Sequence, residues 1–151
     1  MPWAKFKIYY STVGWQTASS TATGDYSVAY LFNWLETNMW KAANTTVPMY
    51  ITYDATTTTS PDYLIILGHN LYTIGATIVV QYSTDNFAAD VNDAFTAFAP
   101  TADTVILKEF TAVAKRYWRL KITGTLSAAP YMTLCVSGSK IELDYATASF
   151  D

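Results

Sequence analysis

The sequence predicts an all-β fold, a two-sheet antiparallel β-sandwich with jelly-roll topology. Three observations carry the prediction. Apolar and polar residues alternate with period two from end to end, β-branched and aromatic residues crowd the alternating segments, and turn signals separate them at short intervals. Many strands with little helix are the pattern of a sandwich or jelly roll. A chain of 151 residues suits a single domain, 1–151, with a core large enough to need no stapling.

The elements follow in order. Ala4, Phe6 and Ile8 share one side of a first strand, with Lys5 and Lys7 on the other. Ser27–Thr37 has room for a short helix. An extended Val47–Tyr53 precedes Thr56-Thr-Thr-Thr-Ser-Pro61, which reads as an exposed loop tip. Tyr63–Leu67 is a strand, and Gly68-His69-Asn70 is the turn that ends it. In the next strand Ile78, Val80 and Tyr82 oppose Thr77, Val79 and Gln81. Asp90–Phe98 carries Val91, Ala94, Phe95 and Phe98 at helical spacing, which predicts a second short helix. Thr104–Phe110 is a further strand. Trp118, Leu120 and Ile122 then oppose Tyr117, Arg119 and Lys121 in the cleanest half-buried strand of the chain. Thr123-Gly124, Ala129-Pro130 and Ser137-Gly138 mark turns, leaving Tyr131–Val136 and Lys140–Asp144 as the last of about eight strands.

Composition narrows the function. Charged residues make up only 14%, against roughly 25% in ordinary soluble domains, while Tyr, Phe and Trp number twelve, seven and five. Such a surface of Thr, Ser, Tyr and apolar groups suits a protein that lies against a partner. A net charge of -3 argues against binding nucleic acid or an anionic membrane, both of which call for a basic face. The apolar runs are too short for membrane insertion, and the N-terminal residues show no continuous apolar stretch of the signal-peptide kind, so the expected place of synthesis is a reducing cytoplasm. The one cysteine, Cys135, reads as a small strand residue.

Four features occur in an order that resembles a known family: the loop Leu31-Phe-Asn-Trp-Leu-Glu-Thr-Asn-Met-Trp40-Lys-Ala, the extended Val47–Asp54, the segment strand–Gly-His-Asn-Leu–Gly-Ala–strand–Ser-Thr-Asp, and the strand Arg116-Tyr-Trp-Arg-Leu-Lys-Ile122. Together they span roughly Asp25 to Leu143. They resemble the galactose-binding-like (discoidin or coagulation-factor C-type) jelly roll, in the form found in virion proteins of tailed bacteriophages. The resemblance implies a non-enzymatic structural or adaptor protein of a virion, made in the host cytoplasm, with virion proteins or copies of itself as partners. The alternative it leaves open is a carbohydrate-binding module that recognises host-surface glycans. It also implies a calcium site from Asn33, Glu36 and Asn38 before Trp40, with Glu142. Calcium takes about six to eight oxygens, several of them from carboxylates, and Glu36 is the one carboxylate of that loop.

Candidate sites are few. His69, the single histidine, lacks a nucleophile elbow and sequence-adjacent partners, and one His with one Cys cannot supply the roughly three or four ligands of a zinc site. Gly68, His69 and Asn70 therefore read as a structural turn. Nothing marks a catalytic carboxylate pair or a phosphate loop, so no enzyme is expected. Aromatic residues at inferred loops and strand ends are the better functional signal: Trp15, Tyr26, Tyr30, Trp34, Tyr72 and, nearby, Trp40 and Tyr82. Sugar rings and partner proteins both pack on such faces, with Asn70 and Gln81 placed to orient hydroxyls. Trp40 and Trp118 are the ones the core is expected to absorb.

Overall fold

A computed structural model describes residues 5–143. The chain alternates between two antiparallel sheets. The strands are β1 (Phe6–Ser11), β2 (Thr17–Ala18), β3 (Trp40–Lys41), β4 (Met49–Thr59), β5 (Tyr63–His69), β6 (Ala76–Ser83), β7 (Asn92–Asp93), β8 (Ile106–Glu109), β9 (Lys115–Gly124) and β10 (Tyr131–Leu143). One sheet runs β1-β10-β5-β8, with β3 also pairing β10; the other runs β2-β4-β9-β6-β7. Apart from β6 to β7, each connection crosses from one sheet to the other, which is what makes the sandwich a jelly roll.

Alternation decides which side chains fill the gap between the sheets. Met49, Ile51, Ile78, Val80, Trp118, Leu120 and Ile122 come from one inner face, and Leu64, Ile66, Ile106 and Cys135 from the other. Trp15 and Trp40 belong to the same core. The indole of Trp15 donates to the Cys135 carbonyl at 2.7 Å, so the polar atom of a buried aromatic is satisfied. Burial raises the Cys135 thiol pKa and keeps it protonated.

A smaller cluster lies on the outer face of the first sheet, where Tyr63, Leu134 and Val136 pack with Tyr9, Ile65 and Leu67. Glu109 covers it. Its carboxylate accepts from Lys7 Nζ at 2.8 Å, the Tyr9 hydroxyl at 2.6 Å and Lys140 Nζ at 2.9 Å, tying β8 to β1 and β10 across the intervening β5.

Several elements differ from the expectations. Tyr131–Val136 and Lys140–Leu143 are one strand, because Ser137-Gly138 is a point of close approach rather than a turn: a Cβ on Gly138 would sit 2.1 Å from the Tyr10 carbonyl oxygen. Thr56–Thr59 belongs to β4, past an irregularity at Thr56 (φ 59°) whose amide is held by the Asp54 carboxylate. Asp90–Phe98 is irregular and not helical. Asn92 and Asp93 pair with β6, Phe98 bridges Ile78, and edge pairing overrides the helical spacing. The short helix in Ser27–Thr37 is a 3-10 helix at Val28–Phe32, capped by the Ser27 hydroxyl. Phe6 and Ile8 have the parity of the core face yet are 58% and 43% exposed. Ala4 and Asp144 lie outside the described residues.

Candidate ligand-binding groove

The outer face of the β2-β4-β9-β6-β7 sheet carries an open groove of about 380 Å³, lined by Thr17, Ala18, Ser19, Tyr50, Thr52, Asn86, Phe87 and Arg119. Its size falls in the range of roughly 300–1,000 Å³ typical of small-ligand sites. The floor follows from register. Thr52 on β4 and Gln81 on β6 both stand opposite Arg119 on β9, and β2 sets Thr17 against Thr52. Odd-numbered residues of β9 face outward because Trp118, Leu120 and Ile122 face the core.

The wall over this floor is the loop 84–91 between β6 and β7. Asn86 and Phe87 both have positive φ, at 57° and 64°, a conformation non-glycine residues rarely adopt. Side chains hold the loop there. The Asp85 carboxylate accepts from the amides of Ala88, Ala89 and Asp90, and the Ser83 hydroxyl donates to it at 2.8 Å. Hydrogen bonds from Ser83 and then these amides hold the Asp85 carboxyl down to about 2. The Asp90 carboxylate closes the loop by accepting from the Thr84 amide and hydroxyl. Two consecutive strained residues, locked by their neighbours, place one aromatic ring over the sheet.

That ring and Tyr50 clamp Arg119. The guanidinium lies 3.9 Å from the Phe87 ring centroid and 4.1 Å from that of Tyr50. Its Nε donates to Gln81 Oε1 at 2.8 Å, and Gln81 Nε2 donates to Asp93 at 2.7 Å, which fixes the plane of the fork. Burial lowers the Arg119 pKa, but a guanidinium remains charged throughout the physiological range.

The residues anticipated from sequence are distributed differently. Trp15, expected at a ligand or subunit contact, is 2% exposed and belongs to the core. Trp40 is fully buried and donates to Thr21. Asn70 is engaged by backbone: its amide donates to the Ala129 carbonyl and its oxygen accepts from the Tyr131 amide. His69 is 3% exposed; its Nε2 meets the Thr104 carbonyl at 2.8 Å, while Nδ1 lies 3.2 Å from the Leu71 amide and 3.5 Å from the Asp103 carboxylate. Gly68 (φ 55°) lies so near Thr133 that a Cβ would clash with its hydroxyl. Tyr26 is half-buried under Lys41, and Tyr30 donates to Asp25. Trp34 and Tyr72 are 60% and 53% exposed but do not line the groove. None of the anticipated contacts lines the groove; Gln81 comes nearest in role, as the buried support behind Arg119. Tyr50, Asn86, Phe87 and Arg119 were not singled out. The available signal was Arg119 on the polar side of its strand, two residues from Tyr117 and Lys121.

The calcium set does not fit. Glu142 faces Lys140 at 3.5 Å, Lys7 at 3.7 Å and Lys5 at 3.9 Å, a surrounding that repels a cation, and Asn33 Oδ1 is used by the Leu35 amide. Among the described residues no group of three or more His, Cys, Asp or Glu could hold a metal.

No family model and no curated protein sequence matches the chain. Solved structures do. Chitosan-binding module 1, derived from a chitosanase/glucanase of Paenibacillus sp. IK-5, superposes with a TM-score of 0.68 at 17% identity, covering 87% of this chain and 100% of that one. Chitosan-binding module 2 of the same enzyme, in complex with chitotriose, gives 0.69 at 14% identity over 84% of this chain and 98% of that one. The CBM32 of AlyQ, in complex with 4,5-unsaturated mannuronic acid, gives 0.61 at 15% identity over 82% and 94%. At such identities the likeness shows the fold alone. These neighbours are carbohydrate-binding modules of the galactose-binding-like jelly roll.

Proposed function

We propose that this protein is a non-catalytic carbohydrate-binding module and that the groove on the outer face of the β2-β4-β9-β6-β7 sheet is its glycan site. The observation that carries this reading is the loop that holds Phe87, at positive φ, opposite Tyr50 across a floor of hydroxyls. Pyranose rings present apolar C–H faces and equatorial hydroxyls. Tyr50 and Phe87 supply apolar sides for the first, and Thr17, Ser19, Thr52 and Asn86 supply donors and acceptors for the second. The solved modules that share the fold support the same reading over assembly into a virion, because each is described by the glycan it takes. Affinity electrophoresis through gels containing soluble polysaccharides tests it: migration should slow in at least one, and Tyr50→Ala or Phe87→Ala should restore free migration. Retention left intact by both substitutions would place the glycan elsewhere, and no retention in any polysaccharide would sink the proposal.

A further inference from the structure

Arg119 has more donors than the protein uses. Its Nε is committed to Gln81, but neither Nη has a hydrogen-bond partner among the described residues. Among the described residues no carboxylate comes within ion-pairing distance either, whereas Lys7, Lys115, Arg116 and Lys140 are each paired with an acid. Asp93, paired with Gln81 across β6 and β7, is bonded to that amide instead.

The rings of Tyr50 and Phe87 both lie against the guanidinium and its Nε is taken by Gln81, so the donors left over are those of the edge that carries the Nη groups. A planar group with two acceptors side by side fits that edge, and among sugar substituents that description belongs to a carboxylate. A second cation continues the same surface. Lys121 lies two residues along β9, about 7 Å away, on the same outward parity and directly opposite Tyr50. It too has no ion pair among the described residues.

From the unspent fork of Arg119 and the flanking Lys121, we infer that the groove takes acidic glycans, with a uronate carboxylate seated edge-on against Arg119. This rests on the glycan-binding reading and narrows it to a ligand class. It sets the chain apart from the chitosan-binding modules that share its fold: chitosan is an amino sugar polymer, and its ammonium groups would meet two cations here.

The test is calorimetric titration of the full chain with four trisaccharides: trigalacturonate, its methyl ester, galactotriose and chitotriose. Trigalacturonate should bind best. Its methyl ester, which keeps the ring and loses the charge, should bind about ten- to a hundredfold more weakly, as expected for a hydrogen-bonded charge contact. Raising the salt from about 0.05 to 0.5 M should weaken trigalacturonate and leave the ester nearly unchanged. Arg119→Gln should bring trigalacturonate down to the affinity of the ester, and Lys121→Gln should cause a smaller, salt-sensitive loss. The ester and salt comparisons use the unaltered chain, so they decide the matter even if Arg119→Gln fails to fold. Equal affinity for acid, ester and galactotriose would overturn the acidic class and leave glycan binding standing, as would preference for chitotriose. Absence of binding to all four would overturn both.

Discussion

Gly138 shows how tightly single residues constrain this fold. It lies in the middle of β10 with an ordinary backbone, and its lack of a side chain is what lets β1 cross at Ser11 and Thr12. A Cβ there would lie 2.1 Å from the Tyr10 carbonyl oxygen and 2.6 Å from the Thr12 amide nitrogen. Both are backbone atoms and neither can swing aside. Gly138→Ala should therefore cost about 2–3 kcal/mol, as overpacking does. In urea denaturation the midpoint should fall with an unchanged slope; an unchanged midpoint would mean that β1 yields and the contact is soft. In sequence, a Ser-Gly pair between apolar runs reads equally well as a turn. The contact that decides otherwise comes from a strand more than a hundred residues away, so no local pattern could have revealed it. His69 is more legible, since the lack of partners nearby in sequence points to a hydrogen-bonded role and both ring nitrogens meet backbone groups, although the Asp103 carboxylate at 3.5 Å from Nδ1 comes from a distant loop that no local pattern reveals.

At the scale of elements, legibility tracks the origin of the signal. Buried on both faces, β6 is marked by its run of β-branched residues, whereas β9, the strand with clean alternation, comes out where the pattern puts it because burial of one face is itself what creates the pattern. Asp90–Phe98 does not, because its apolar residues serve an irregular edge. Phe95 packs against Phe98 and Phe110 at 5.9 and 5.5 Å between centroids, a cluster that happens to reproduce helical spacing. The groove was largely hidden for a related reason. Arg119 becomes a site residue only through its register with Thr52 and Gln81, and Phe87 only through the strain that the loop imposes on it. That strain yields a prediction about the loop. Asp85→Ala removes the acceptor of three amides, so hydrogen exchange at Ala88, Ala89 and Asp90 should accelerate while the core strands keep their protection. Glycan retention should weaken along with it, because Phe87 is no longer held over the sheet. Faster exchange with full retention would show that the ring's position does not depend on the loop's internal bonds.

The whole molecule is braced by one carboxylate on the face opposite the groove. Glu109 gathers Lys7, Tyr9 and Lys140 from two strands that are not its neighbours in the sheet, over the buried ring of Tyr63. Hydrogen bonds from Lys7, then Tyr9 and Lys140, hold its carboxyl at about 2, against an ordinary value of 4.5. A depressed folded-state pKa means that the unfolded chain takes up the proton first. The stabilisation is thus complete above about 4.5 and is lost as pH falls toward about 2. The phenol of Tyr9 shifts the other way, pushed up to about 12 chiefly by the same hydrogen bond, so its share persists below 10.0 and is lost as pH rises through about 12. With partial exposure screening the charges, Glu109→Gln should cost about 1 kcal/mol at neutral pH. Acid weakens the unaltered protein through Asp54, Asp85 and Asp90 as well, whose carboxyls are also held low. The decisive quantity is therefore the gap in unfolding free energy between the two chains, measured by urea denaturation across the acid range. It should be widest between about pH 5 and 9 and narrow steadily below about pH 4.5, because protonating Glu109 does to the unaltered chain what the substitution has already done. A gap independent of pH would assign the loss to packing over Tyr63, and the ionic brace would then have no part in holding β8 to β1.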